Sequence, residues 1–232
     1  MPADLVELFK RYWPWAVIAV PSAAAAAVGL KAATKKVTAL SGPPTSTIQH
    51  TGVTALTSYL SDSFFKGVEK MAEHMRSRGA TISAEDLLNV FKVESDVKPH
   101  VANKDSGCAG LNQICNLKAV GWTGTRTEYL ALPGDQQLQY VQKYFDNVNR
   151  YPAITDTGKL YLANFNPGHL GKAESFVLYR KGQIGYTQNS GLDFGGKGFI
   201  EIADMTKFVR RGAKGVKWEE LRSRMAQAQG LI

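Results

Sequence analysis

Two cysteines and four histidines in 232 residues leave little material for a metal site or for thiol chemistry. Cys108 and Cys115 lie seven apart, with neither a second cysteine pair nor a histidine at ligand spacing, so a structural zinc site is poorly supported. A thiolate nucleophile is disfavoured as well, because seven residues separate the nearest histidine, His100, from Cys108. Two readings stay open for the pair: a local disulfide, which requires an oxidising compartment, or two thiols packed as small apolar fillers. Acidic residues are also few, 20 Asp and Glu against 28 Lys and Arg, and the formal charge of +8 favours polyanionic partners over basic proteins. Nucleic acid, anionic lipid and cell wall all qualify. No internal repeat is evident, and little of the chain shows the period-two alternation of a sheet.

Long apolar runs are nearly absent too. The one charge-free stretch, Tyr12 to Leu30, covers 19 residues between Lys10-Arg11 and Lys31. As a helix it would span roughly 28 Å, about one hydrocarbon core. Pro14 and Pro21 interrupt its hydrogen bonding, and Ala23 to Ala27 add little transfer energy. A membrane anchor, a cleaved export signal with small residues near Ala25, and a packed helix are the three readings, and membrane contact through 12–30 leads. Ser41-Gly-Pro-Pro-Thr-Ser46 has linker chemistry. The expected organisation is therefore a membrane-interacting segment (1–40), a linker (41–52), a main domain (53–205) and a basic C-terminal helix (206–232).

Within the main domain the periodicity is helical. Leu56, Leu60, Phe64, Val68 and Met71 recur three or four apart over Val53 to Arg78, and Gly79 supplies a stop. Ser83 followed by Asp86 predicts a capped helix running to about Glu94. Asp135 to Val148 and Leu160 to Phe165 read as two more helices. A small hairpin is expected over Leu178 to Tyr186, turning at Lys181-Gly182.

Glu94 closes the apolar run Val90-Phe91-Lys92-Val93-Glu94-Ser95. A carboxyl leaving a hydrophobic wall is pushed toward a neutral-range pKa, where it can protonate a glycosidic oxygen. Taken alone, a solvated surface Glu is the commoner outcome. Its company changes the weighing: after Glu94-Ser95 come Pro99, Ala102-Asn103, Gly107 and Gly110-Leu111-Asn112-Gln113. Further on stand Gln136-Gln137-Leu138-x-x-Val141-x-x-Tyr144-Phe145 and Leu162-Ala163-Asn164-Phe165-Asn166-Pro167-Gly168. In order and spacing these resemble the lytic transglycosylase family, over roughly residues 53 to 205. The forms carried by phages are most similar and share the Gln188-Asn189-Ser190-Gly191-Leu192-Asp193 segment.

That resemblance implies a mainly α, goose-lysozyme-like fold, with a small β-hairpin element, and a sugar groove. It implies that Glu94 acts as acid and then base on the MurNAc-GlcNAc β-1,4 bond of peptidoglycan, leaving a 1,6-anhydro product without a cofactor. Ser95 would orient the groove or the substrate, and Gln113 and Asn166 would hydrogen-bond the sugar or the carboxyl. The family's third motif has tyrosine where this chain has Phe165, so Tyr161 is the candidate substitute for the missing hydroxyl. A true muramidase would need a second carboxylate about 5 to 9.5 Å away, for which Asp96 and Asp105 are the near candidates, Asp105 the stronger. A catalytically weak virion protein that keeps the fold is the further alternative.

The implied setting is a virion or virion membrane acting at the periplasm, with virion or secretion-machine proteins as partners. Two remaining features are less telling. Asp193 to Asp204 has the length of a calcium loop, but Gly195 and Lys197 stand where oxygen ligands belong, so a glycine-rich turn is expected and no metal. The basic tail from Lys207 to Arg224 reads as a solvated helix face; only Trp218 interleaves, which gives nucleic-acid recognition weak support.

Overall fold

The computed structural model describes residues 60–104 and 106–228. The calls on the 1–40 segment, the 41–52 linker and Asp105 therefore lie outside the described residues.

Helix α1, Asp62–Ser77, starts at Ser61, whose hydroxyl accepts from the Phe64 amide at 3.1 Å. Phe64, Phe65, Val68, Met71, Ala72 and Met75 form its buried stripe, the spacing read from the sequence. Helix α2, Ala84–Ser95, opens with a reciprocal Ser83–Asp86 capping box. It ends where Asp96 and Val97 both take φ of +57°. A buried β-branched valine rarely adopts that conformation, so the surroundings impose this sharp turn after Glu94-Ser95.

A short helix α3, Arg126–Leu130, precedes α4, Gly134–Val148, which packs against α1. Helix α5, Thr157–Phe165, is buried at all nine positions, so its apolar residues face neighbours on every side. Burying a side chain such as Leu160 or Phe165 contributes about 1.5–3 kcal/mol. Its neighbours are α2, α4 and a later helix, α7, Ile202–Gly212. Contact with α7 is so close that a Cβ on Gly158 would sit 1.9 Å from Thr206 Oγ1.

The protein is thus mainly helical, as expected, with one two-stranded sheet among the described residues. The sheet differs from the expected hairpin. Strand β1, Val177–Arg180, pairs antiparallel with β2, Phe199–Glu201, and Ile184–Gln188 instead form a short helix, α6. Burial explains the choice of partner: Ile200 is fully buried in its strand, whereas Ile184 is 73% exposed. The Gly185 backbone also lies against the Tyr179 ring, where a Cβ would come within 2.3 Å.

The basic tail is part of the domain. The boundary expected at 205/206 falls inside α7, and α7 with α8, Trp218–Ala228, buries Met205, Val209, Trp218 and Leu221. Trp218 Nε1 donates to Asn89 Oδ1 at 2.8 Å, and Arg222 pairs with Glu69. Lys207, Arg210, Arg211, Lys214 and Lys217 face solvent. Among the described residues, no helix is long and apolar enough to cross a membrane.

Candidate active site

Three helices converge on Glu94. It occupies the last turn of α2, half-buried, where the negative end of the helix dipole disfavours a further anion. Burial pushes its carboxyl from the ordinary 4.5 to about 7, and a hydrogen bond from Asn164 opposes that rise without cancelling it. A half-buried carboxyl held in this range can change protonation state near neutral pH.

Helix α5 supplies both Asn164 and Tyr161, three residues apart and so on one face. Asn164 Nδ2 donates to Glu94 Oε1 at 3.0 Å and to the Asn112 carbonyl at 3.1 Å, while its Oδ1 accepts from Asn112 Nδ2 at 3.1 Å. Tyr144, from α4, donates its hydroxyl to the Asn164 carbonyl at 2.9 Å. That satisfies a C-terminal carbonyl the helix leaves open. Burial and then the Glu94 charge hold the Tyr144 and Tyr161 hydroxyls well above the ordinary phenol range, so both stay protonated beside the acid. Asn112 is 1% exposed and its Oδ1 has no donor. Leaving such an acceptor unmet costs about 1–3 kcal/mol.

The loop facing Glu94 is clamped from several sides. Ser95 is buried and donates to Phe91 O at 3.1 Å and Leu111 O at 2.9 Å, so its hydroxyl ties α2 to the Gly110–Gln113 run. The Ser95 hydroxyl hydrogen is thus committed within the protein. Gln113, at φ +53°, spends its side-chain nitrogen on the carbonyls of Gly110 and Val101. Gln137, fully buried on α4, accepts from the Leu111 amide at 3.1 Å and donates to Pro99 O and Tyr129 O. The Cys108–Cys115 disulfide forms and encloses the whole run, which closes the choice the spacing left open.

Asn166 was expected to hydrogen-bond the sugar or the carboxyl. Its Nδ2 donates to the Tyr179 hydroxyl at 3.2 Å and its Oδ1 meets His169 Nδ1 at 2.9 Å. The contact expected from it to the carboxyl comes from Asn164 instead. Asn166 lies just past the end of α5 with non-helical backbone, φ −153°, so it does not continue the helix face that carries Asn164. The Tyr161 hydroxyl feels the Glu94 charge, and its ring stacks on Phe165 at 5.9 Å.

Asn112, Asn164, Tyr144 and Gln137 were not singled out as site residues from the sequence. One signal was available: Asn164 is a polar residue three positions from Tyr161 within an otherwise apolar helix turn.

In the stretch Asp193 to Asp204, Lys197 takes the place a cation would need. Its ammonium contacts Glu201 and Asp204, each at 2.9 Å, and Lys207 reaches Asp204 at 3.0 Å. The Asp193 carboxylate accepts from the Lys197 and Gly198 amides and from the Tyr186 hydroxyl. These oxygens are already committed, and the glycine-rich turn they brace is a structural one.

Compared with known protein families, curated proteins and solved structures, the chain matches none.

Proposed function

We propose that this protein cleaves peptidoglycan glycan strands as a lytic transglycosylase, with Glu94 as its acid and base. The observation that carries the reading is a half-buried carboxyl at a helix end, hydrogen-bonded by Asn164 and held near a pKa of about 7, on which no second carboxylate acts among the described residues. Asp96, the nearest in sequence, is bound by Lys92 and Lys98, which hold it ionised below the ordinary carboxylate range despite partial burial.

One carboxyl suffices if the substrate supplies its own nucleophile. Protonated Glu94 gives its proton to the glycosidic oxygen as the C1–O bond breaks and the bonding electrons stay on that oxygen. The sugar's own 6-hydroxyl then bonds to C1 and passes its proton to the Glu94 carboxylate. The ring closes as a 1,6-anhydro end, the acid is regenerated, and no water is consumed.

The disulfide fits an oxidising compartment such as the envelope, where peptidoglycan is met. A virion-borne enzyme contacting membrane through 12–30 is the setting this reading favours.

Mass spectrometry of muropeptides released by the full chain and by Glu94→Gln tests the reaction. Anhydro-muramic ends that vanish in the variant are expected. Reducing ends would point to a hydrolase and to Asp105, and no release by the wild type would overturn the enzyme reading.

A further inference from the structure

The Glu94 carboxyl has two oxygens, and only one faces a hydrogen-bond donor among the described residues. That donor is an amide with no freedom left. Both hydrogens of Asn164 Nδ2 are used, on Glu94 Oε1 and the Asn112 carbonyl, and its Oδ1 is occupied by Asn112 Nδ2. Turning the Asn164 amide over would set its oxygen against two acceptors and its nitrogen against a donor. Asn112 is locked in the same sense, and it keeps this orientation although its own Oδ1 is buried without a partner. The Tyr144 hydroxyl on the Asn164 carbonyl fixes the backbone end of the arrangement.

Resting on the reaction proposed above, we infer that Asn164, oriented by Asn112, is the positioning residue that decides which oxygen of Glu94 carries the transferable proton. An N–H group already points at Oε1, and the carbonyl oxygen of a neutral acid accepts such a bond better than its hydroxyl oxygen does. The neutral acid therefore carries its hydrogen on Oε2, and Oε2 delivers it to the glycosidic oxygen. On return, the hydrogen of the substrate's 6-hydroxyl is taken up by the same oxygen while Oε1 stays held. Asn164 touches the acid and not the reacting atoms, so its effect is on geometry and proton placement. The resemblance did not indicate it: Asn164 stands one position before the phenylalanine that replaces the motif's tyrosine, and its amide contacts the acid directly.

The test pairs Asn164→Leu, which keeps the volume and removes the donor, with Asn112→Ala, which keeps Asn164 and removes its orienter. The readouts are kcat and KM on purified cell wall, and the Glu94 titration by carbon-13 NMR of the labelled carboxyl, assigned with Glu94→Gln. Asn164→Leu should lower kcat by about tenfold or more with KM within about twofold, and move the Glu94 titration to higher pH. Asn112→Ala should move both in the same directions by less. A wild-type kcat together with a wild-type Glu94 titration, or a change in KM alone, would overturn the assignment. If Asn164→Leu fails to fold by its thermal melt, Asn112→Ala decides on the same two readouts. Should the wild type release no muropeptides, the reaction fails as a reading, and a shifted titration would still show Asn164 holding the carboxyl.

Discussion

Asp204 and Glu94 are both shielded from solvent to some degree, and they are treated in opposite ways. Asp204 is fully buried and surrounded by compensation: Lys197 and Lys207 contact its oxygens, and the Glu201 amide donates to it at 3.0 Å. Burial alone would lower the Lys197 ammonium, but its bonds to Glu201 and Asp204 outweigh that and raise it. Glu94 has one neutral amide and two tyrosines held as phenols for company, and its carboxyl rises to about 7. A fully compensated charge holds the fold together, whereas an undercompensated one is held ready to change protonation state.

The comparison is broken most severely by removing the acid. Glu94→Gln should lower muropeptide release by about a thousandfold, within the range for a positioned general acid, read from initial rates by mass spectrometry. The converse cut removes a compensating cation: Lys197→Met leaves Asp204 buried with Lys207 alone, and should cost about 3–5 kcal/mol in denaturant unfolding at pH 7. Activity per folded molecule should change little.

A third expectation concerns the pH dependence of Glu94. Unfolded Glu94 loses its proton near 4.5 and native Glu94 near 7, so the native state binds more protons between these values. Stability from this group therefore falls as pH rises through that window, and the penalty above pH 7 is about 3 kcal/mol. Glu94→Gln should be more stable than the wild type by up to that amount at pH 8 and no more stable at pH 4, measured by thermal melts. A variant that is inactive yet more stable would place the strain at the site. For the same reason kcat/KM should decline on the alkaline side with a midpoint near pH 7.

The smallest effect is expected from the disulfide that closes the Cys108–Cys115 loop. Replacing Cys108 and Cys115 by serine removes a short-loop constraint worth about 2 kcal/mol by chain entropy, and should loosen the run that carries Asn112. A melt lowered under reducing conditions in the wild type but not in the double variant would check it.

Much of the fold was legible because its helices announce themselves locally. The buried stripe of α1, the Ser83–Asp86 cap of α2 and the run of α4 follow from spacing and side-chain chemistry within one or two turns. The strand pairing was not legible, since Ile184 and Ile200 are both plausible inward residues and only packing against the core chooses between them. Glu94 stood out because an apolar helix ends on it. Asn164 did not, because its significance depends on a partner 70 positions away, brought near when α5 is buried against α2.

What the sequence determined by itself is what acts over a turn or two of chain: helix periods, caps, the excess of basic residues, and an acid at the end of an apolar wall. Tertiary structure alone decided how far that acid is desolvated, which asparagine reaches it, that the two cysteines join, and that the basic tail belongs to the core. Each of those depends on distances between residues remote in sequence. Packing sets such distances only when the whole domain closes around one apolar interior.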